Sequence, residues 1–381
     1  MTVPNFPKCV EDLSSEWLTE ILHQRGIPGD VMVKAFSIEP VGDPGQSSEV
    51  VRIRLEYGEE TTEAPSSLIG KFPAKFDESR QLAVMMNTYL KEVNFFKYVA
   101  ASADGLVTRC FAAEINPENH DFVLILEDIA HLRMGEWYVS KPEDSRLMLQ
   151  KLAPFHAKWW MSPDLEKFDW INQPGHPGFS ASMDQLKQIF AGVLPFVKGQ
   201  YESYMSANAW ATIEKWLDSW DELFSYTPGP WTLCHGDYHY LQCFFPTPSD
   251  DHFCVIDWQL VCVNSAAMDV ARPLLIDPES RRAHENDIVE SYYEILVKNG
   301  VKDYSLDELW EDLRLNALWT SIIYIMVIFQ TDNEVFKAYA AERGFDPYAA
   351  LLSWPGSGLD DWEVSKAIDR YLERVRMEKD N

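Results

Sequence analysis

The sequence is poor in basic charge. Its 381 residues carry 33 Lys and Arg against 60 Asp and Glu, giving a formal charge of −27 and a pI near 4.6. Such a surface repels phosphate backbones and anionic lipid, so no nucleic-acid or membrane partner is expected. It suits a cationic small molecule, and it also serves solubility. The first 30 residues show no basic stretch followed by an apolar core, so no signal peptide is read there. Long apolar runs are missing as well. The most apolar stretch, Ser321 to Phe329, is shorter than the about 20 residues that span a bilayer and reads as a buried helix. Cys9, Cys110, Cys234, Cys243, Cys254 and Cys262 form no C-x-x-C pair. A zinc site built from the cysteines of 234–262 with His235, His239 and His252 fits no usual ligand spacing, so buried thiols on strands are the reading preferred. Reduced thiols without a leader point to the cytoplasm. No internal repeat or low-complexity linker divides the chain.

What is present is apolar substance: 46% hydrophobic and 13% aromatic residues, enough for a sizeable core and too much for a disordered acidic tail. The length suggests two domains or one large bilobal unit. Ser14 to Leu22 reads as a capped amphipathic helix. Residues 33–41 and 49–57 read as strands joined by Gly42-Asp43-Pro44-Gly45-Gln46-Ser47-Ser48, followed by a strand at Ser67–Phe72. A helix over 80–101 precedes a short strand, Phe122 to Leu126, which ends in Glu127-Asp128. Beyond it the periodicity is helical over 143–162, 180–225, 279–299 and 306–330, interrupted by one β island at 232–262.

That island holds the most informative residues. Cys234-His235-Gly236-Asp237-Tyr238-His239-Tyr240-Leu241-Gln242 is followed by Val255-Ile256-Asp257-Trp258-Gln259. Phosphoryl transfer needs one carboxylate to orient the attacking hydroxyl and a second, about 20 residues on, to hold the magnesium that bridges the phosphates. Asp237 and Asp257 have that spacing, between apolar strands that fix them. An amide five residues after the first Asp commonly supplies another metal ligand.

His235-Gly236-Asp237 with Val255-Ile256-Asp257-Trp258 resembles the catalytic loop and metal-binding segment of the aminoglycoside-phosphotransferase and choline-kinase-like superfamily. More narrowly it resembles the branch holding the ecdysteroid-kinase-like small-molecule kinases, over roughly residues 14–300. The resemblance implies an α+β, bilobal, protein-kinase-like fold with an N-lobe over 1–127 and a mainly helical C-lobe over 128–381. It places a glycine-rich phosphate loop at Gly42–Ser48, including Gly45 and Ser47. Lys71 then stands for the phosphate-binding lysine, Glu92 for its helix partner, and Glu127-Asp128 for the hinge whose backbone meets adenine. Asp237 is the implied catalytic residue, Asp257 and Gln242 the metal ligands, and His235 and Asp269 structural supports. His239 is read either as a substrate or phosphate contact or as a packing residue. ATP and Mg2+ are the implied cofactors, and a small-molecule hydroxyl is the acceptor. The acceptor is expected to lie against the helices of about 160–230 and 310–355.

The departure is Gln242, where the family pattern His-Gly-Asp-x-x-x-x-Asn ends in Asn. Its arm is one methylene longer, and magnesium demands near-ideal octahedral geometry. The sequence leaves open a working altered site, a site relying on Asp257 alone, or a nucleotide-binding pseudokinase with a scaffolding role. A metal-dependent hydrolase built on the Asp/His/Cys cluster of 234–262 is the remaining rival.

Overall fold

The computed structural model describes residues 6–41, 47–58, 63–136, 138, 141–174, 177–224, 229–331 and 333–379. In chain order come α1 (Ser15–Gln24), β1 (Val33–Pro40), β2 (Ser48–Tyr57), β3 (Ser67–Pro73), α2 (Asp77–Met85), α3 (Thr88–Asn94), β4 (Cys110–Ile115), β5 (Phe122–Glu127) and β6 (Arg133–Met134). They are followed by α4 (Pro142–Trp159), α5 (Pro177–Tyr201), α6 (Ala207–Asp218), α7 (Trp220–Leu223), β7 (Thr232–Cys234), β8 (Cys243–Phe245), β9 (Cys254–Val255) and β10 (Cys262–Asn264). The chain closes with α8 (Ala267–Leu274), α9 (Pro278–Lys298), α10 (Leu306–Gln330), α11 (Asn333–Arg343), α12 (Trp354–Asp361) and α13 (Val364–Lys379). Two compact units result: Met1–Met134 with Gln242–Val261, and Gly135–Leu241 with Cys262–Asn381. The β8–β9 hairpin is thus grouped with the N-terminal residues, although the sequence alone places all of 128–381 in one domain.

The first unit is built on an antiparallel sheet in the order β1-β2-β3-β5-β4. Alternation in β2 buries Val51, Ile53 and Leu55, and these join Leu18, Ile21 and Leu22 of α1 in one core. α1 starts where Ser14 Oγ accepts the Trp17 amide at 3.2 Å. In the central strand β3, a Cβ at Gly70 would lie 3.0 Å from Phe72 and 3.1 Å from Ile53, so only glycine fits beside Lys71 without movement. The helix expected over 80–101 is broken. Asn87 adopts the left-handed conformation (φ 55°), which Asn tolerates better than most residues, and α3 restarts in a new direction. The loop glycines Gly42 and Gly45 lie outside the described residues.

The second unit is helical, with the two-strand pair β10-β7 embedded in it. The helical periodicity over 180–225 resolves into α5, α6 and α7, because Ser206 caps a new helix by accepting the Ala209 amide at 2.9 Å. α10 has the length and apolar character of a membrane span. It starts with a capping box from Ser305 and Glu308 and buries Leu309, Leu313, Ala317, Leu318, Ile322, Ile325 and Ile328, as a core helix does.

Candidate active site

In the first unit the predicted residues converge on Lys71. Its strand is third of five, so its neighbours exclude water from both edges. Nζ lies 2.7 Å from both Glu92 carboxylate oxygens and 3.0 Å from Asp257 Oδ1. Lys71 and Glu92 are buried, at 8% and 2% exposure. Burial pulls the Lys71 ammonium down, but Asp257 and Glu92 outweigh it and hold the group charged. Glu92 is pushed up by burial, despite Lys71, and further by the negative charge of Asp257. One cation between two carboxylates leaves a net charge of −1, which invites a second cation.

Asp257 is presented by strain and stacking. It has φ 64°, a left-handed conformation uncommon outside glycine, directly before Trp258. The Trp258 ring lies on Phe95, which directly follows α3 in the chain. Asp257 Oδ2 faces the Gln242 and Gln259 side-chain amides, each 3.2 Å away. Gln242 reaches it because β8 and β9 pair, and because the Gln242 carbonyl accepts the Ile256 amide at 2.9 Å. Gln259 is held from behind, since its oxygen accepts the Ser47 hydroxyl at 2.9 Å. The Ser47 carbonyl accepts Tyr89 OH at 2.6 Å, and Tyr89 OH accepts the Ala74 amide at 3.0 Å. Ser48 opens β2 opposite Pro73. The base of the expected phosphate loop is therefore tied to the segment that carries Asp257.

Glu127 and Asp128 stand apart from this cluster. Asp128 accepts Arg52 Nε at 2.6 Å and Ser67 Oγ at 2.7 Å, so its carboxylate ties β2 to β3. Burial pushes its carboxyl up toward the protonated form, and Arg52 and Ser67 more than reverse that. Glu127 ends β5 and exchanges hydrogen bonds with the Arg109 backbone, donating its amide at 2.8 Å and accepting at 3.3 Å. Both carboxylates are thus engaged with protein groups.

The donor set fits a small hard cation. Asp257 offers a carboxylate oxygen that faces only side-chain amides, and Gln242 offers an amide oxygen after rotation of its terminal group.

In the second unit Asp269 organises the His235-Gly236-Asp237 loop. Its Oδ2 accepts the His235 amide at 2.6 Å, and its Oδ1 accepts the Gly236 amide at 3.0 Å. His156 Nε2 lies 3.2 Å from Oδ2, while Nδ1 lies 2.7 Å from Tyr292 OH. Gly236 has φ 84°, which explains the glycine in His-Gly-Asp. His235 Nδ1 accepts the Asp237 amide at 3.2 Å, so this histidine braces the loop. Asp237 is bonded through Oδ1 by Arg272 Nη1, and its Oδ2 lies 3.4 Å from His239 Nε2. Burial pulls the Asp237 carboxyl up, but Arg272 and His239 hold it far below the usual carboxylate range. Burial and Arg272 push His239 down, so its ring stays neutral near pH 7.

The zinc reading does not survive in this geometry. Cys234 Sγ points at the Asn264 and Ser265 carbonyls, and burial pushes its thiol well above its usual range, so no thiolate is on offer. His239 belongs to Asp237, and His252 is exposed beside Asp250. His156, Cys234 and Asp269 do gather, but they are buried and bonded to protein groups.

Sequence reasoning assigned no role to Gln259, Arg272, Tyr89 or His156. A signal existed for two of them: Gln259 follows Asp257 by two residues, and Arg272 follows Asp269 by three, one helical turn.

No curated protein matches the sequence. A choline kinase from Cryptosporidium parvum resembles the chain with a TM-score of 0.50 at 10% identity, covering 94% of this chain and 98% of that one. An ethanolamine kinase from Plasmodium vivax aligns with a TM-score of 0.47 at 9% identity, over 96% and 93% of the two chains. A macrolide 2'-phosphotransferase from Brachybacterium faecium aligns with a TM-score of 0.45 at 14% identity, over 89% and 97%. The first of these likenesses gives the fold: α+β and protein-kinase-like, as the motif resemblance implied. The model of the ecdysteroid kinase-like family matches residues 45–303, well over half of the chain. The chain belongs to the ecdysteroid kinase-like family of small-molecule kinases.

Proposed function

We propose that this protein transfers the γ-phosphoryl group of ATP to a hydroxyl of a small organic molecule, with Mg2+. The observation that carries the reading is the buried Lys71 ammonium shared by Glu92 and Asp257. A lysine held charged and fixed in direction is a phosphate ligand in waiting, and its two carboxylates keep it from drifting. Lys71 would contact the α and β phosphates, and the loop of residues 42–48 would close over them. Asp257 and Gln242 would hold Mg2+, which when bound bridges the phosphates and offsets their charge.

Asp237 would orient the acceptor hydroxyl. The acceptor oxygen forms its bond to phosphorus as the bond to the ADP oxygen breaks, and the hydroxyl proton passes to solvent water. Asp237 is too acidic to keep that proton, so its part is steering, in keeping with a loose transition state. The acceptor would rest on the helices of the second unit. Six cysteines outside any disulfide suit the reducing cytoplasm as the place of action.

The test is ADP release from MgATP against a panel of steroid polyols, amino alcohols and amino sugars, with Asp237→Ala as control. A hydroxyl compound that raises release above the control supports the reading. Tight MgATP binding with no release for any compound, and none above the control in its absence, replaces it with the pseudokinase.

A further inference from the structure

One short helix sets both the backbone and the side chain of the catalytic loop. α8 carries Asp269 and, one turn later, Arg272, so the two lie on one face. Asp269 takes the amides of His235 and Gly236, and Arg272 takes the carboxylate of the next residue, Asp237. Arg272 is itself immobilised. Its side chain is 10% exposed, its Nε lies 3.4 Å from Tyr324 OH, and its guanidinium sits over the Tyr324 ring at 5.0 Å. The other oxygen of Asp237 faces His239. The Leu241 amide donates to His239 Nδ1 at 3.3 Å, which puts the ring proton on Nε2, toward Asp237.

We propose that Arg272 is a positioning residue for phosphoryl transfer: with Tyr324 behind it, it locks Asp237 in one rotamer as a permanent carboxylate that steers the acceptor hydroxyl and never stores its proton. This rests on the assignment of Asp237 to the acceptor hydroxyl. Among the described residues, the charged and titratable groups set against Asp237 include Arg272 from α8, His239 and His235 from its own loop, and Tyr324 from α10 behind Arg272. Arg272 is the one permanent cation among them. Without it, burial is left to act on the carboxyl against two histidines. Lysine would supply the charge but not the planar fork that both stacks on Tyr324 and reaches Asp237.

The test reads the carboxyl directly. In protein labelled with 13C at the aspartate carboxyl carbon, the Asp237 signal is found by its loss in Asp237→Asn and followed from pH 4.5 to 8. In the natural protein it stays at the ionised position throughout. In Arg272→Gln it moves within that window, and in Arg272→Lys it stays ionised. Basal hydrolysis of MgATP, with water in place of the acceptor, is the second readout. Arg272→Gln should lower its kcat by about 10- to 100-fold, as loss of positioning does, with KM for MgATP within about twofold, and Arg272→Lys should recover part of the loss. An unmoved Asp237 signal in Arg272→Gln overturns the proposal, as does unchanged kcat. If Arg272→Gln does not fold, Arg272→Lys decides: an Asp237 signal that titrates inside the window overturns the proposal, and one that stays ionised beside a lowered kcat supports it. If the natural protein hydrolyses no MgATP without acceptor, the kinase reading is decided by the acceptor panel and the carboxyl titration alone decides how Asp237 is held.

Discussion

Trp258 lies flat on Phe95, with ring centroids 4.0 Å apart and planes 7° from parallel. Trp258 is fully buried, and its indole donates to the Val255 carbonyl at 3.2 Å. The stack joins the segment after Asp257 to the one after Glu92, so one aromatic pair sets how both carboxylates meet Lys71.

Trp258→Ala should therefore cost both stability and cation binding. Emptying a buried indole site costs about 3–5 kcal/mol, read as a lower urea midpoint. The extra thermal protection that Mg2+ adds to ADP should shrink as well. Full retention of that protection in a folded variant would show that Asp257 is fixed by something other than the stack.

Asp269 is the second fixed point. Asp269→Asn keeps the size but turns one acceptor into a donor facing the His235 or Gly236 amide. Loss of charge-assisted hydrogen bonds to buried amides costs about 1.5–3 kcal/mol each, so thermal stability should fall by several degrees. His156→Gln, which removes one neighbour of the same carboxylate, should cost less. Equal costs would place the anchor on His156 instead.

The pattern of legibility follows from what sequence can carry. Lys71, Glu92 and Asp257 were readable because motif order fixes which elements they occupy, and the structure brings all three within hydrogen-bond reach. The strand β2 was readable because its period-two alternation marks a half-buried strand, whereas β3 is buried at successive positions along its second half. The break at Asn87 was not, since the left-handed turn there is a single-residue event that helical periodicity runs straight across. The motif resemblance places Asp128 in a hinge but says nothing of its carboxylate, which is bound to Arg52, 76 positions away. Arg272 and Gln259 are of the same kind. Spacing in the chain hints at both, Gln259 two residues after Asp257 and Arg272 one turn after Asp269, but the contact of Arg272 with Asp237 is set by tertiary packing.

Asp312 gives a pH signature. Burial pushes its carboxyl up to about 6, against the opposing hydrogen bonds from Tyr304 and Ser265. Its folded value thus lies above its unfolded one, so the folded state binds the proton more tightly. Stability is then greatest below about pH 4 for this group, falls as pH rises toward 6, and stays low above it. The gap of roughly two pH units corresponds to about 3 kcal/mol. Asp312→Asn removes the titration while keeping an acceptor for Tyr304 OH, 2.7 Å away. Its melting temperature relative to the natural protein should rise between pH 4.5 and pH 8. A constant difference across that range would remove Asp312 from the pH dependence.

On the proposed function, the length of Gln242 bears on how Mg2+ would be held. Its side chain spans to Asp257 Oδ2 at 3.2 Å from a backbone position fixed by the Ile256 amide, so the longer arm matches its distance. Gln242→Asn shortens the reach by roughly one C–C bond, ~1.5 Å, and should weaken Mg2+-dependent ADP binding several-fold. Gln242→Glu is the sharper case. It sets a second carboxylate against Asp257 in a cluster that already carries an excess negative charge, and like charges at that range destabilise each other. Without metal this variant should melt below the natural protein, by on the order of 1–2 kcal/mol in stability. Added Mg2+ should restore the loss, because a divalent cation between two carboxylates reverses the sign of the interaction. The measurement is melting temperature against Mg2+ concentration for both proteins without nucleotide. A Gln242→Glu variant that gains no more from Mg2+ than the natural protein would place the cation away from Gln242 and leave Asp257 as its sole side-chain ligand of the pair.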